Sequence, residues 1–212
     1  MNKLCVIGNF GSGKGSYDGQ TVKTHNTYQA LCNILGNQNV TFINTNGGLK
    51  NLPVLIFKTI LAAYQNRNII MLPAQNGLKL FAPLLSVMSD ISNCKMHYVV
   101  IGGWLPNVLS YNTILRRSLM NFFGIYVETN TMKIGLEKDG LKNVYIFPNF
   151  KHIKILNESE LVSIKKEPFK LCTFSRVMKE KGIEDAVNAV KAVNDKTGKN
   201  VYTLDIYGQV DK

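Results

Sequence analysis

Short apolar runs alternate with segments of helical period through the first 150 residues, and this alternation limits the fold more than any other feature. Strand-type runs occupy 3–9, 40–44, 68–72, 97–101, 124–128 and 144–147. Between them, apolar residues recur at helical spacing over 22–35, 52–67, 78–91, 108–122 and 131–139, with Gly36 and Gly140 placed as helix stops. Strands separated by helices cannot pair as hairpins. They form a parallel sheet with right-handed crossovers and helices packed on both faces, a doubly wound α/β architecture of Rossmann-like type. Ligands of such sheets bind outside the carboxyl ends of the strands, so the loops at 8–19 and 102–106 become the candidate functional edge.

The pattern changes after residue 150. Residues 151–168 are polar and charged, which reads as a connection between domains, and limited proteolysis is expected to cut between Asn157 and Pro168. A further strand, helix and strand follow at 169–174, 183–195 and 201–207. One β-α-β unit cannot cover both faces of its own two strands. After a first domain at 1–150 and a connection at 151–168, the unit at 169–212 therefore either adds to the first sheet or is the incomplete opening of a second Rossmann-like domain.

Charge narrows the partners. The net charge is +11, and up to Phe150 the only acids are Asp18, Asp90, Glu128, Glu137 and Asp139. Such an excess suits a phosphorylated ligand, an acidic membrane surface or nucleic acid. Without an Arg-rich tract or an aromatic RNA-binding signature, nucleic acid is not expected as a partner. The four cysteines are scattered, and Cys5 and Cys172 stand inside apolar strand runs, so all read as buried reduced thiols of a cytoplasmic protein. His25, His97 and His152 lack metal-ligand spacing, and no metal or cofactor is expected. No apolar stretch reaches the roughly 20 residues of a spanning helix, and the N-terminal run reads as a strand rather than a signal peptide.

Two motifs carry chemistry. Gly8-Asn9-Phe10-Gly11-Ser12-Gly13-Lys14-Gly15 follows a strand and matches GxxxxGK, but Gly15 stands where a P-loop needs the hydroxyl that holds magnesium. A glycine loop that brings backbone amides to a phosphate or sugar fits this sequence better. The second motif, Ser175-Arg176-Val177-Met178-Lys179-Glu180-Lys181-Gly182, places Arg176 at a strand's carboxyl end and Lys181 at the start of a helix. A bidentate guanidinium, a point-charge ammonium and helix N-terminal amides together make a diphosphate clamp. By spacing alone, a solvated charged turn accounts for it better.

Phe174-Ser175-Arg176 through Lys181-Gly182, followed by Leu204-Asp205-Ile206-Tyr207-Gly208, resembles the "GR…KG…l.i.G" opening of the nucleotide-binding domain in GT-B glycosyltransferases. The likeness is to the large retaining family that includes bacterial capsule and lipopolysaccharide transferases. Ile146-Phe147-Pro148-Asn149-Phe150 resembles the "v.PNgvd" segment that ends the first domain of that family, and the loop ending in Gly19 resembles its first-strand glycine loop. The resemblance implies that Arg176 and Lys181 hold the diphosphate of a nucleotide-sugar donor, with Gly13, Gly15 and Gly19 near the donor sugar and phosphate. It implies transfer with retention to a glycan or lipid-linked acceptor in surface polysaccharide synthesis, with positive charge rather than metal stabilising the leaving diphosphate. Two departures stand out. Ile101-Gly102-Gly103-Trp104-Leu105-Pro106 occupies the place where many relatives carry a histidine, which leaves His97 structural and the catalytic residue unassigned. The family's paired glutamates would fall beyond Lys212, so the chain is expected to be a fragment with an incomplete donor site.

Acceptor or membrane contact is expected from Lys23, Trp104, Arg116 and Arg117, at the inner face of the membrane. The apolar segment 52–64 is expected to pack on the sheet instead. Two alternatives stay open at this level: a P-loop nucleotide-binding protein using Lys14, and a non-catalytic binding domain. Asp18 and Glu128 are not expected to act as a glycosidase carboxylate pair.

Overall fold

A computed structural model describes residues 3–12, 18–47, 49–151, 153, 155–160 and 166–210. The chain divides into two compact units, Met1–His152 and Ile153–Lys212.

The first unit is built on six parallel strands: β1 (Leu4–Gly8), β2 (Val40–Asn44), β3 (Asn68–Leu72), β4 (Lys95–Val99), β5 (Gly124–Val127) and β6 (Val144–Ile146). Their spatial order is β2-β1-β3-β4-β5-β6, with Leu4 level with Val40 on one side and Asn68 on the other. The helices are α1 (Gly19–Leu35), α2 (Leu52–Gln65), α3 (Gln75–Ile91), α4 (Leu105–Leu109), α5 (Thr113–Met120) and α6 (Asn130–Lys138).

This order explains how the helices are distributed. The chain steps outward once, from β1 to β2, and then back past β1 and onward from β3 to β6. Right-handed crossovers taken in opposite directions put their helices on opposite faces. Accordingly, Tyr28, Leu31 and Cys32 of α1 pack with Leu4, Val6, Val40 and Val99 on one face. Helices α2 to α6 bury Leu55, Phe81, Leu85, Leu109, Leu119 and Leu136 against Ile7, Met71, Tyr98 and Ile125 on the other. The doubly wound parallel sheet is thus present, with five helices on one face and one on the other among the described residues. Where α1 ends its cover, the sheet carries stacked aromatics: His97 lies 5.9 Å from Tyr126, and Tyr126 lies 5.7 Å from Tyr145.

Local chemistry sets the element limits. Helix α1 starts earlier than its apolar period because Asp18 accepts the Thr21 amide at 2.7 Å. The single helix expected over 108–122 is two: α4 stops at Leu109, and Asn112 restarts the chain by accepting the Leu115 amide at 2.9 Å. Gly8 lets α1 lie close to β1, since a β-carbon there would come within 2.8 Å of Thr24 Cγ2.

The second unit pairs β7 (Phe169–Phe174) with β8 (Tyr202–Tyr207) in parallel over all six residues, joined by α7 (Ile183–Thr197). Ile183 is its only buried apolar side chain among the described residues, and Phe174 is 87% exposed. Burial was expected for all four cysteines. Cys5, Cys32 and Cys94 are buried, whereas Cys172 on β7 is exposed, because one helix cannot cover both faces of a two-stranded sheet. Desolvation pushes the buried Cys5 and Cys94 thiols up to about 11, which keeps both protonated and unreactive.

Candidate functional site

The carboxyl ends of β1, β2 and β3 meet where the strand order reverses, the place at which open α/β sheets bind ligands. A cavity of about 550 Å³ opens there. Its rim includes Asn9, Gln20, Thr45, Asn46 and Asn76, and Leu55, Leu80 and Phe81 contribute apolar wall. No charged side chain lines it among the described residues. The first turn of α3 opens into the cavity at Asn76 and Gly77 without a side-chain cap, so backbone N–H donors add to the rim amides. Side-chain amides donate and accept at once, which suits neutral hydroxyl groups better than a localised charge.

Asn44, the last residue of β2, fixes the loops on either side. Its Oδ1 accepts the amides of Phe10 and Asn46, each at 3.0 Å, and its Nδ2 donates to the Gly11 carbonyl at 3.0 Å. Asn9 accepts the Gly11 amide at 2.9 Å, and Gln20 Nε2 donates to the Leu72 carbonyl at 3.1 Å, tying α1 to the end of β3. Sequence reasoning did not single out these amides. The available signal was a polar residue ending an otherwise apolar strand, as Asn44 does.

Lys23, expected at an acceptor or membrane, is buried. Its Nζ donates to Glu128 Oε1 at 2.6 Å and to the Val100 carbonyl at 3.0 Å, joining α1 to the exits of β4 and β5. With its side chain only 8% exposed, it presents no membrane-facing charge. Glu128 holds Lys23, while Asp18 caps α1.

Trp104 is half-buried; its Nε1 donates to the Ile101 carbonyl at 2.7 Å and its ring packs on the main core. Arg116 is half-buried and Arg117 exposed. Arg117 lies in the last turn of α5, and a crossover helix ends at the amino edge of the sheet, away from the cavity. Gly19 opens α1, and a β-carbon there would meet nothing within 4 Å. Gly13, Lys14 and Gly15 lie outside the described residues.

His97 lies within β4, 3.1 Å from Tyr126 Oη and 3.1 Å from Asn68 Oδ1. Burial, reinforced by the Lys95 charge, lowers it to about 4, so it is a neutral ring at pH 7. Among the described residues no cluster of His, Cys, Asp or Glu could hold a metal, and no helix is long and apolar enough to cross a membrane.

In the second unit, Arg176 follows β7 in a stretch that continues the parallel pairing: Ser175 N donates to the Tyr207 carbonyl and Val177 N to the Gln209 carbonyl. Gly208 permits this approach, since a β-carbon there would collide with the Ser175 carbonyl oxygen. Lys181 ends a single 3-10 turn, and Gly182, at φ +66°, leads directly into α7. Arg176 and Lys181 are thus both exposed at the carboxyl end of β7, where the helix N-terminus also lies.

The fold defines a Rossmann-like α/β protein with a second parallel β-α-β unit. No family model matches the sequence, and no curated protein matches it. Among solved structures, the chain is similar to Anabaena Alr3699/HepE in complex with UDP and glucose. The TM-score is 0.53 at 13% identity, over 98% of this chain and 70% of that one. At that identity the likeness is one of fold.

Proposed function

We propose that the chain acts in glycosyl transfer from a nucleotide-diphosphate-sugar donor, in the manner of GT-B enzymes. The observation that carries this reading is the placement of Arg176 and Lys181 together at the carboxyl end of β7, ahead of α7. Two cations and the N-terminus of a helix that has no side-chain cap suit a diphosphate. The fold likeness to a protein solved with UDP and glucose supports that choice of ligand. The first unit takes the acceptor, a glycan or the sugar end of a lipid-linked glycan. Its cavity at β1–β3 offers neutral amides and an apolar wall, the mixture that a pyranose with hydroxyl edges and C–H faces requires. Arg176 and Lys181 stabilise the nucleoside diphosphate as it leaves, without metal, and transfer retains configuration. The setting is surface polysaccharide synthesis at the cytoplasmic face of a membrane.

Calorimetric titration of the purified chain with UDP, GDP and their sugar conjugates tests this. Arg176→Ala and Lys181→Ala should each weaken nucleotide affinity by about tenfold to a hundredfold, the worth of one charge-assisted contact. Equal affinity in wild type and both variants would leave the pair a solvated turn. Tight magnesium–ATP binding lost in Lys14→Ala would put a P-loop reading in its place.

A further inference from the structure

Helix α2 was expected to hide its apolar residues against the sheet, but only one of its faces does so. Leu55, Thr59, Ala62 and Ala63 are buried. On the opposite side Val54, Phe57, Leu61 and Tyr64 form a stripe at helical spacing, with Phe57 66% and Tyr64 62% exposed. Lys58 is exposed within that stripe and Lys50 just before the helix. The neighbouring α3 exposes Lys79, Val87 and Ile91.

The charges on α2, α3 and α5 are one-sided. Between Asp18 and Glu128 the only acid is Asp90, against Lys50, Lys58, Lys79, Arg116 and Arg117 on α2, α3, α5 and the turn before α2. A helix apolar on both faces has one face left to bury. When that face is edged with cations and nearly free of acids, it matches the surface of an anionic bilayer, with apolar groups at the acyl boundary and ammonium groups among the phosphates. A second copy of the chain fits poorly. A two-fold interface through this face would set cations against cations with Asp90 as the one acid of α2, α3 and α5 to pair them.

We propose that the exposed face of α2, through Val54, Phe57, Lys58 and Leu61, docks the first unit on an anionic phospholipid surface. The proposal deepens the membrane-side part of the functional reading above. It is independent of donor chemistry, so a failure here leaves the nucleotide titrations unaffected, and the reverse also holds.

The test is co-sedimentation of the full chain with vesicles of phosphatidylcholine alone and of phosphatidylcholine mixed with phosphatidylglycerol. Binding is expected to the mixed vesicles and to be weakened about tenfold or more by Phe57→Asp and by Lys58→Glu. Folding of each variant is checked by the fluorescence of Trp104, the only tryptophan. A conservative variant, Phe57→Trp, should keep binding and have its added fluorescence quenched by brominated lipid. That variant decides the matter if the charged ones fail to fold. Three results would overturn the proposal: no greater sedimentation with anionic vesicles than without, unquenched Phe57→Trp on bound protein, or a concentration-dependent dimer that Phe57→Asp abolishes. The last would make the stripe an interface between copies.

Discussion

The Lys23 ammonium lies 2.6 Å from the Glu128 carboxylate, bridging α1 to the end of β5. The Val100 carbonyl takes a second of its protons. A lysine that is almost fully buried persists only when its charge is met, so the pair holds α1 in register over β4 and β5.

Glu128→Gln should therefore cost about 2–4 kcal/mol of stability, because it leaves Lys23 buried with one neutral partner and a carbonyl. Lys23→Met should cost less, since Glu128 is 26% exposed and can turn to water. The double variant should be more stable than the sum of the two losses implies. Urea denaturation of the three variants measures the coupling, and strict additivity would contradict it.

Acid should weaken the first unit through His97. Its ring is held near 4 when folded and returns to about 6.5 when unfolded, so the unfolded chain binds the extra proton between those values. The stabilisation is complete above about pH 6.5 and is lost progressively as pH falls toward 4. The half-buried ring limits the effect to about 2 kcal/mol. Denaturation midpoints across this range should slope in wild type and flatten in His97→Gln, and parallel profiles would contradict the assignment.

Asn44 should be irreplaceable by its nearest isostere. Asn44→Asp keeps the oxygen that accepts from Phe10 and Asn46 but sets a second oxygen against the Gly11 carbonyl, where an N–H donated at 3.0 Å. A loss of about 1–3 kcal/mol is expected, with faster amide exchange at Phe10 and Asn46. Exchange unchanged from wild type would mean the loops are held elsewhere.

Gly8→Ala should destabilise the first unit by about 1–3 kcal/mol, because the new methyl meets Thr24 Cγ2 at 2.8 Å. Thr24→Ala removes the obstructing atoms, so the double variant should recover part of the loss. If Gly8→Ala is neutral in thermal denaturation, α1 does not press on β1 as described.

The sequence by itself determined the elements that depend on local chemistry. Strands β2, β3 and β7 fall where β-branched and apolar runs place them, and the α/β alternation required a parallel sheet. The Arg176–Lys181 turn was legible because both its cations lie in one loop between a strand and a helix. Local pattern misjudged α4 and α5, whose apolar period continues through a break that one side chain, Asn112, imposes.

What the tertiary structure alone decided depends on partners distant in sequence. Lys23 and Glu128 are 105 residues apart, and Gln20 meets Leu72 across 52. No periodicity marks either pair, because each exists only once β1, β3, β4 and β5 lie side by side. The second apolar face of α2 was hidden for the same reason. Sequence shows that a helix is apolar, but only the packed sheet shows how much of it finds cover, and here the sheet can cover one face of α2 and no more.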